Sequence, residues 1–156
     1  MTTATAVRHS ITVAAPRERA FRVFTQGMNE WWPRSHKIGE ADLAEAVLEE
    51  REGGRWYERG ADGSECDWGT VLVWEPPARV VLAWQISGDW AYDADLHTEV
   101  EVSFVSEGPD QTRVELEHRG LDAYGERASE MRDSLDSPGG WSGILERFAG
   151  GLAGAA

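Results

Sequence analysis

The chain has a single cysteine, Cys66, in 156 residues, so no internal disulfide can form and an oxidising compartment is not required. It lacks any run near the roughly 18 to 20 apolar residues that span a bilayer. Its start, Met1-Thr2-Thr3-Ala4-Thr5-Ala6, has neither the basic opening nor the apolar stretch of a secretion signal. A cytoplasmic protein is expected. Basic clusters are scarce as well: the densest is Arg34 to Lys37, against a net charge of −13 with its acids spread along the chain. Phosphate backbones and anionic lipid need clustered Lys and Arg, so neither nucleic acid nor membrane is an expected partner. His9, His36, His97, His118 and Cys66 show no paired metal-ligand spacing, and no metal or cofactor is expected. There is no Gly-x-Ser-x-Gly elbow, and Cys66 lies beside a turn without an evident base. Gly53-Gly54 lacks the lysine and the strand-to-helix context of a phosphate loop. Repeats and dividing linkers are absent too, which predicts one domain over 1–156 with its core at about 7–153.

What the chain does have is tryptophan, eight in all. A buried indole removes roughly 150 to 250 Å² from water, a gross stabilisation of about 4 to 6 kcal/mol at roughly 25 cal/mol/Å². So many large rings either fill a core or line a cavity. Hydrophobic residues at 41% and charged residues at 28% describe a folded globular chain able to do either.

Residues 7–13 alternate apolar and polar as a half-buried strand does. After Pro16, the residues Ala20, Phe21, Phe24 and Met28 recur at helical spacing, and this helix or a second short one ends near Trp31-Trp32-Pro33. Strands are then predicted over 43–50, 55–59, 66–75, 79–87, 98–106 and 111–119, with Gly53-Gly54 as a turn or bulge and Ala61-Asp62-Gly63 as a hairpin turn. In the last hairpin, Thr98, Val100, Val102 and Phe104 share one face, as do Thr112, Val114, Leu116 and His118. The two apolar faces coincide only if paired numbers sum to an even value near 216 or 218, because a one-residue slip turns every side chain over. His118 then points inward, while Glu99, Glu101, Glu115, Glu117 and Arg119 face solvent. A weakly patterned helix is predicted over 122–133. A second is expected to open at Ser137-Pro138, with Ser137 as N-cap and a stripe of Trp141, Leu145, Phe148 and Leu152. Gly143, beside that stripe, suggests close approach to the sheet or empty volume next to it.

These signposts together resemble the START-like helix-grip superfamily, also called SRPBCC or the birch-pollen-allergen fold. Within it the chain is similar to bacterial homologues of the domain that activates the ATPase of the ninety-kilodalton heat-shock chaperone. The resemblance runs from about residue 7 to 153. It is carried by Val13-Ala14-Ala15-Pro16, Ala20-Phe21, Trp31-Trp32, Gly53-Gly54-Arg55-Trp56, Asp62-Gly63 and Trp68-Gly69, then by Glu75-Pro76-Pro77-Ala78-Arg79-Val80, Leu82-Ala83-Trp84, Thr112-Arg113-Val114 and Gly140-Trp141. It implies an α+β fold, a curved antiparallel sheet of about seven strands around a long C-terminal helix. It also implies a pocket between the sheet's concave face and that helix.

Residues able to reach such a pocket are Trp31, Trp32, Trp56, Trp68, Trp84, Trp90, Tyr92, His118, Trp141, Leu145 and Phe148. The same rings could instead pack on one another as core. The segment from Ser87 to Asp95, rich in acids and aromatics, reads as a lid or as a solvated loop. The leading functional expectation is a non-enzymatic binding domain for a small apolar or aromatic molecule, monomeric or dimeric. A cyclase or dehydratase with His118 in an acid–base role is the alternative in the same cavity. A chaperone-interaction module follows from the resemblance alone and would need an exposed apolar outer patch.

Overall fold

A computed structural model describes residues 6–154. Strand β1 (Val7–Val13) leads into helices α1 (Arg17–Thr25) and α2 (Met28–Trp31). Six strands follow: β2 (Leu43–Leu48), β3 (Arg55–Gly60), β4 (Glu65–Glu75), β5 (Arg79–Trp84), β6 (Thr98–Gly108) and β7 (Gln111–Arg119). A 3-10 segment (Leu121–Arg127) and helices α3 (Ala128–Asp136) and α4 (Trp141–Gly154) complete the chain. The strands form one antiparallel sheet in the order β1-β7-β6-β5-β4-β3-β2. It curls around α4 as an α+β helix-grip fold.

Register follows the apolar pattern. Val100 lies opposite His118, Val102 opposite Leu116 and Phe104 opposite Val114, so paired numbers sum to 218 as expected. All six side chains are buried. On the other face, Arg119 bonds Glu99 and Glu101, Arg79 bonds Glu101 and Glu75, and Arg55 bonds Glu65 and Asp67. Exposed pairs of this kind contribute little stability each, but they give the convex face a charged, solvated character. In the helices, Phe21 and Phe24 of α1 and the stripe Trp141, Leu145, Phe148 and Leu152 of α4 are buried in one core. Each such burial contributes on the order of 1.5 to 3 kcal/mol.

The C-terminal third differs from expectation in three places. The segment predicted as a helix over 122–133 begins as a 3-10 stretch that breaks at Gly125 (φ 62°, ψ −126°), and the α-helix runs Ala128–Asp136. Ser137 is not the N-cap of α4 but the C-cap of α3: its backbone N–H and its hydroxyl (2.7 Å) both donate to the Ser134 carbonyl, and Ser137–Gly140 form a turn before α4 starts at Trp141. Local back-bonding by serine competes with capping, and here it wins. Gly143 does not open space beside the sheet, because a Cβ there would lie 2.1 Å from the Pro138 carbonyl oxygen. Its missing side chain lets that turn fold over the first turn of α4.

Candidate functional site

Most of the tryptophans fill the concave side. Trp32 and Trp68 rings lie 5.0 Å apart, Trp56 and Trp68 5.4 Å, Trp56 and Trp84 5.8 Å, and Trp84 and Trp141 5.6 Å. A second chain of rings continues through Trp31, Phe24 and Phe148, with centroids 5.2 to 5.5 Å apart. The deep part of the grip is therefore solid.

Space remains at the mouth. A cavity of about 390 Å³ opens between the loop after α2, strands β4 and β5, the loop after β5 and the α3–α4 turn. Its apolar wall is Trp32, Trp68, Trp84, Trp90, Ile38, Ile86 and Ile144, and its polar rim is Ser35, His36, Lys37, Ser134, Ser137 and Gly139. That volume lies in the lower part of the roughly 300 to 1,000 Å³ range of small-molecule sites. A depression of similar volume, about 410 Å³, lies on the convex face among Arg8, Ser10, Glu101, Ser103, Glu115 and Glu117. It is a shallow, charged surface with little apolar wall to hold a ligand.

Of the candidate residues, Trp32, Trp68, Trp84 and Trp90 line the cavity. Trp31, Trp56, His118, Trp141, Leu145 and Phe148 do not: they are buried in the core outside its lining. Their indoles are also satisfied there: Trp31 Nε1–H donates to Val23 O (2.9 Å) and Trp56 Nε1–H to Met28 Sδ (3.3 Å). Tyr92 also falls outside the cavity. Its backbone bridges Ile86, and 41% of its surface is exposed.

His118 is sealed, with no exposed surface. Thr98 Oγ1–H donates to Trp84 O (2.8 Å), so it can only accept from His118 Nε2–H (2.9 Å). Trp141 Nε1–H donates to His118 Nδ1 (3.0 Å). Both ring nitrogens are thus used by a neutral imidazole with its proton on Nε2. Burial pushes its pKa down to about 3. This ring ties β7 to β6, β5 and α4. The acid–base role considered for it fails, since no ligand atom can reach it.

Several features of the mouth were not foreseen. Glu58 on β3 is buried, and its carboxylate accepts from Ile38 N–H (2.6 Å), Gly39 N–H (3.1 Å) and Trp68 Nε1–H (2.9 Å). One side chain thereby fixes both the rim loop and an indole of the wall. Tyr124 does similar work: it accepts from Trp84 Nε1–H (3.0 Å) and donates to Ile86 O (2.7 Å). Burial pushes the Tyr124 hydroxyl up to about 12, so it serves as a neutral donor. Trp90 stands at the outer edge, 46% exposed, with φ at 59°, a region a bulky residue seldom occupies. Its loop is anchored by Arg127, which donates to Gly88 O (2.9 Å) and pairs with Asp89 (2.8 Å). Burial pushes the Cys66 thiol up, which makes it a poor nucleophile. Among the described residues no group of three or more His, Cys, Asp or Glu could hold a metal ion. Among the same residues no helix is long and apolar enough to cross a membrane.

The fold is a helix-grip domain with an apolar-walled cavity at the mouth of the grip. The chain belongs to the family described as Activator of Hsp90 ATPase homolog 1-like protein, whose profile matches residues 14–153. Among solved structures it is 41% identical to an anthrahydroquino-γ-pyrone synthase, Txn09, over 97% of this chain and 99% of that one, with a TM-score of 0.67. It is 33% identical to CalC of Micromonospora echinospora, a self-sacrificing resistance protein, over 97% and 96% of the two chains, with a TM-score of 0.73. Protein MLL2253 of Mesorhizobium loti shares the fold at 18% identity, covering 97% and 99% of the chains, with a TM-score of 0.66. No curated protein sequence matches the chain.

Proposed function

We propose that the protein binds a flat, oxygen-bearing aromatic molecule in the cavity at the mouth of the grip. The observation that carries this reading is the pairing of an indole wall, Trp32, Trp68, Trp84 and Trp90, with a rim of hydroxyls and a histidine. Ring faces reward planar ligands through stacking and dispersion, and a few polar groups set their orientation. The strained backbone of Trp90 agrees with a residue held out to meet a ligand, since such strain persists where the surroundings enforce it. A chaperone-contact role would instead call for an apolar outer face, and the convex face carries ion pairs.

One observation favours a catalytic version of the same reading. The 41% identity to a γ-pyrone synthase extends over nearly all of both chains, so ring closure on a bound aromatic precursor is the second reading.

Titration of the intrinsic tryptophan fluorescence tests the binding claim. Hydroxyanthraquinones should quench it saturably, whereas palmitate should not. Trp90→Ala should weaken quinone binding about tenfold, the effect of losing about 1.4 kcal/mol of stacking. Non-saturable quenching, or equal affinity in Trp90→Ala, would remove the site from this cavity.

A further inference from the structure

The rim of the cavity contains a histidine with an asymmetric set of partners. His36 Nε2 lies 2.7 Å from the Gly139 carbonyl oxygen, which can only accept, so Nε2 carries a proton. Nδ1 is then the free base of the neutral ring, and the Ser35 hydroxyl donates to it at 3.1 Å. The ring stands edge-on to Trp32, with centroids 6.5 Å apart and planes at 89°. Ser35, His36 and Gly139 all line the cavity. In contrast to His118, the basic nitrogen here is met only by a rotatable hydroxyl that a ligand can replace.

From this geometry, and resting on the binding reading above, we infer that the ligand carries an acidic phenol or enol hydroxyl and that His36 Nδ1 takes its proton in the bound complex. The step balances internally. The ligand O–H bond breaks, its electron pair stays on oxygen, and a new N–H bond forms at Nδ1. The products are an imidazolium and a phenolate or enolate in contact. The second N–H stays on Gly139 O and keeps the ring in plane with its target, as a general base requires. Ser35, released from Nδ1, turns its hydroxyl to donate to the new oxyanion.

The charged groups around this site permit the transfer. His36 and Lys37 are the titratable side chains of the cavity lining, and the Glu58 carboxylate behind the rim is engaged by Ile38 N–H, Gly39 N–H and Trp68 Nε1–H. The Lys37 ammonium donates to Gly39 O (2.8 Å) and Glu40 O (3.4 Å), adding positive charge to the rim. Net charge of −13 opposes an anion at long range, but exposed charges farther than about 8 Å are largely screened at physiological salt. The contact pair therefore decides.

Alizarin, 1,2-dihydroxyanthraquinone, reports its own ionisation through a red-shifted visible band and serves as the probe. Mixed with the wild-type protein, its ionised band should appear at least one pH unit below the free dye's transition. His36→Gln should return the band to the free-dye position and, at a pH where the free dye is ionised, weaken binding about tenfold, the affinity linked to a one-unit shift. Ser35→Ala should keep the shift but halve it or less. Bound dye that stays neutral in the wild type overturns this inference and leaves the binding reading standing. A shift retained in His36→Gln overturns it too, by assigning the oxyanion to Lys37. Failure of alizarin to bind at all overturns both.

Discussion

The two histidines on the inner side of this protein make an instructive pair. His118 and His36 both sit against tryptophan rings and both use their two nitrogens in hydrogen bonds. His118 is closed in by Thr98 and Trp141 and held neutral by burial. His36 lies on a rim, with a carbonyl on one nitrogen and a serine on the other. The tryptophans divide in the same way: Trp31, Trp56 and Trp141 complete the interior, while Trp32, Trp68, Trp84 and Trp90 line the mouth. Residue type does not separate structure from function here. Position along the grip does.

That division predicts stability costs at the sealed end and binding costs at the open end. The largest stability effect should follow Trp141→Ala, which empties a fully packed site and leaves His118 Nδ1 without a donor. A loss of about 3 to 5 kcal/mol is expected in urea unfolding, and a loss under 1 kcal/mol would mean that the interior is not tightly packed. Glu58→Gln comes next, at about 2 to 3 kcal/mol, since an amide nitrogen would face a backbone N–H. Unlike Trp141→Ala, it should also speed hydrogen exchange at Ile38 and Gly39, because these amides belong to the rim.

Acid sharpens the comparison further. The folded pKa of His118 lies below the ordinary value of 6.5, so the unfolded chain takes up its proton first as pH falls. Its contribution is complete above about pH 6.5 and declines toward about pH 3, at about 1.4 kcal/mol per pH unit in between. Relative to wild type, His118→Gln should flatten the stability curve across that window. An unchanged slope would show that His118 is not held neutral. The smallest stability effect belongs to Trp90→Ala, within about 0.5 kcal/mol for so exposed a ring, even though it costs the binding described above.

Legibility from sequence followed the range of the interactions involved. The β6–β7 register and the α4 stripe depend on local periodicity, and both were readable from apolar spacing. Trp68 on β4, Trp84 on β5 and Trp32 after α2 meet only through the strand order and the crossing of α4, so no spacing rule separates them from Trp56 or Trp141. The signal at His36 was read only as part of a basic cluster, Arg34 to Lys37, and for metal, whereas a polar Arg-Ser-His-Lys run directly after Trp-Trp-Pro places hydrogen-bonding groups beside large rings. Glu58 was hidden in a short strand, and only the fold of residues 34–40 over β3, beside Trp68 on β4, gives its carboxylate three donors. Ser137 carried a helix-start signal that its own bond to Ser134 overrode.

The indole N–H signals of the tryptophans in a ¹H–¹⁵N spectrum read both ends of the grip at once. Adding alizarin should move those of Trp32, Trp68, Trp84 and Trp90 and leave Trp31, Trp56 and Trp141 in place. Shifts centred on Trp31 and Trp141, with the four mouth residues unmoved, would contradict the account.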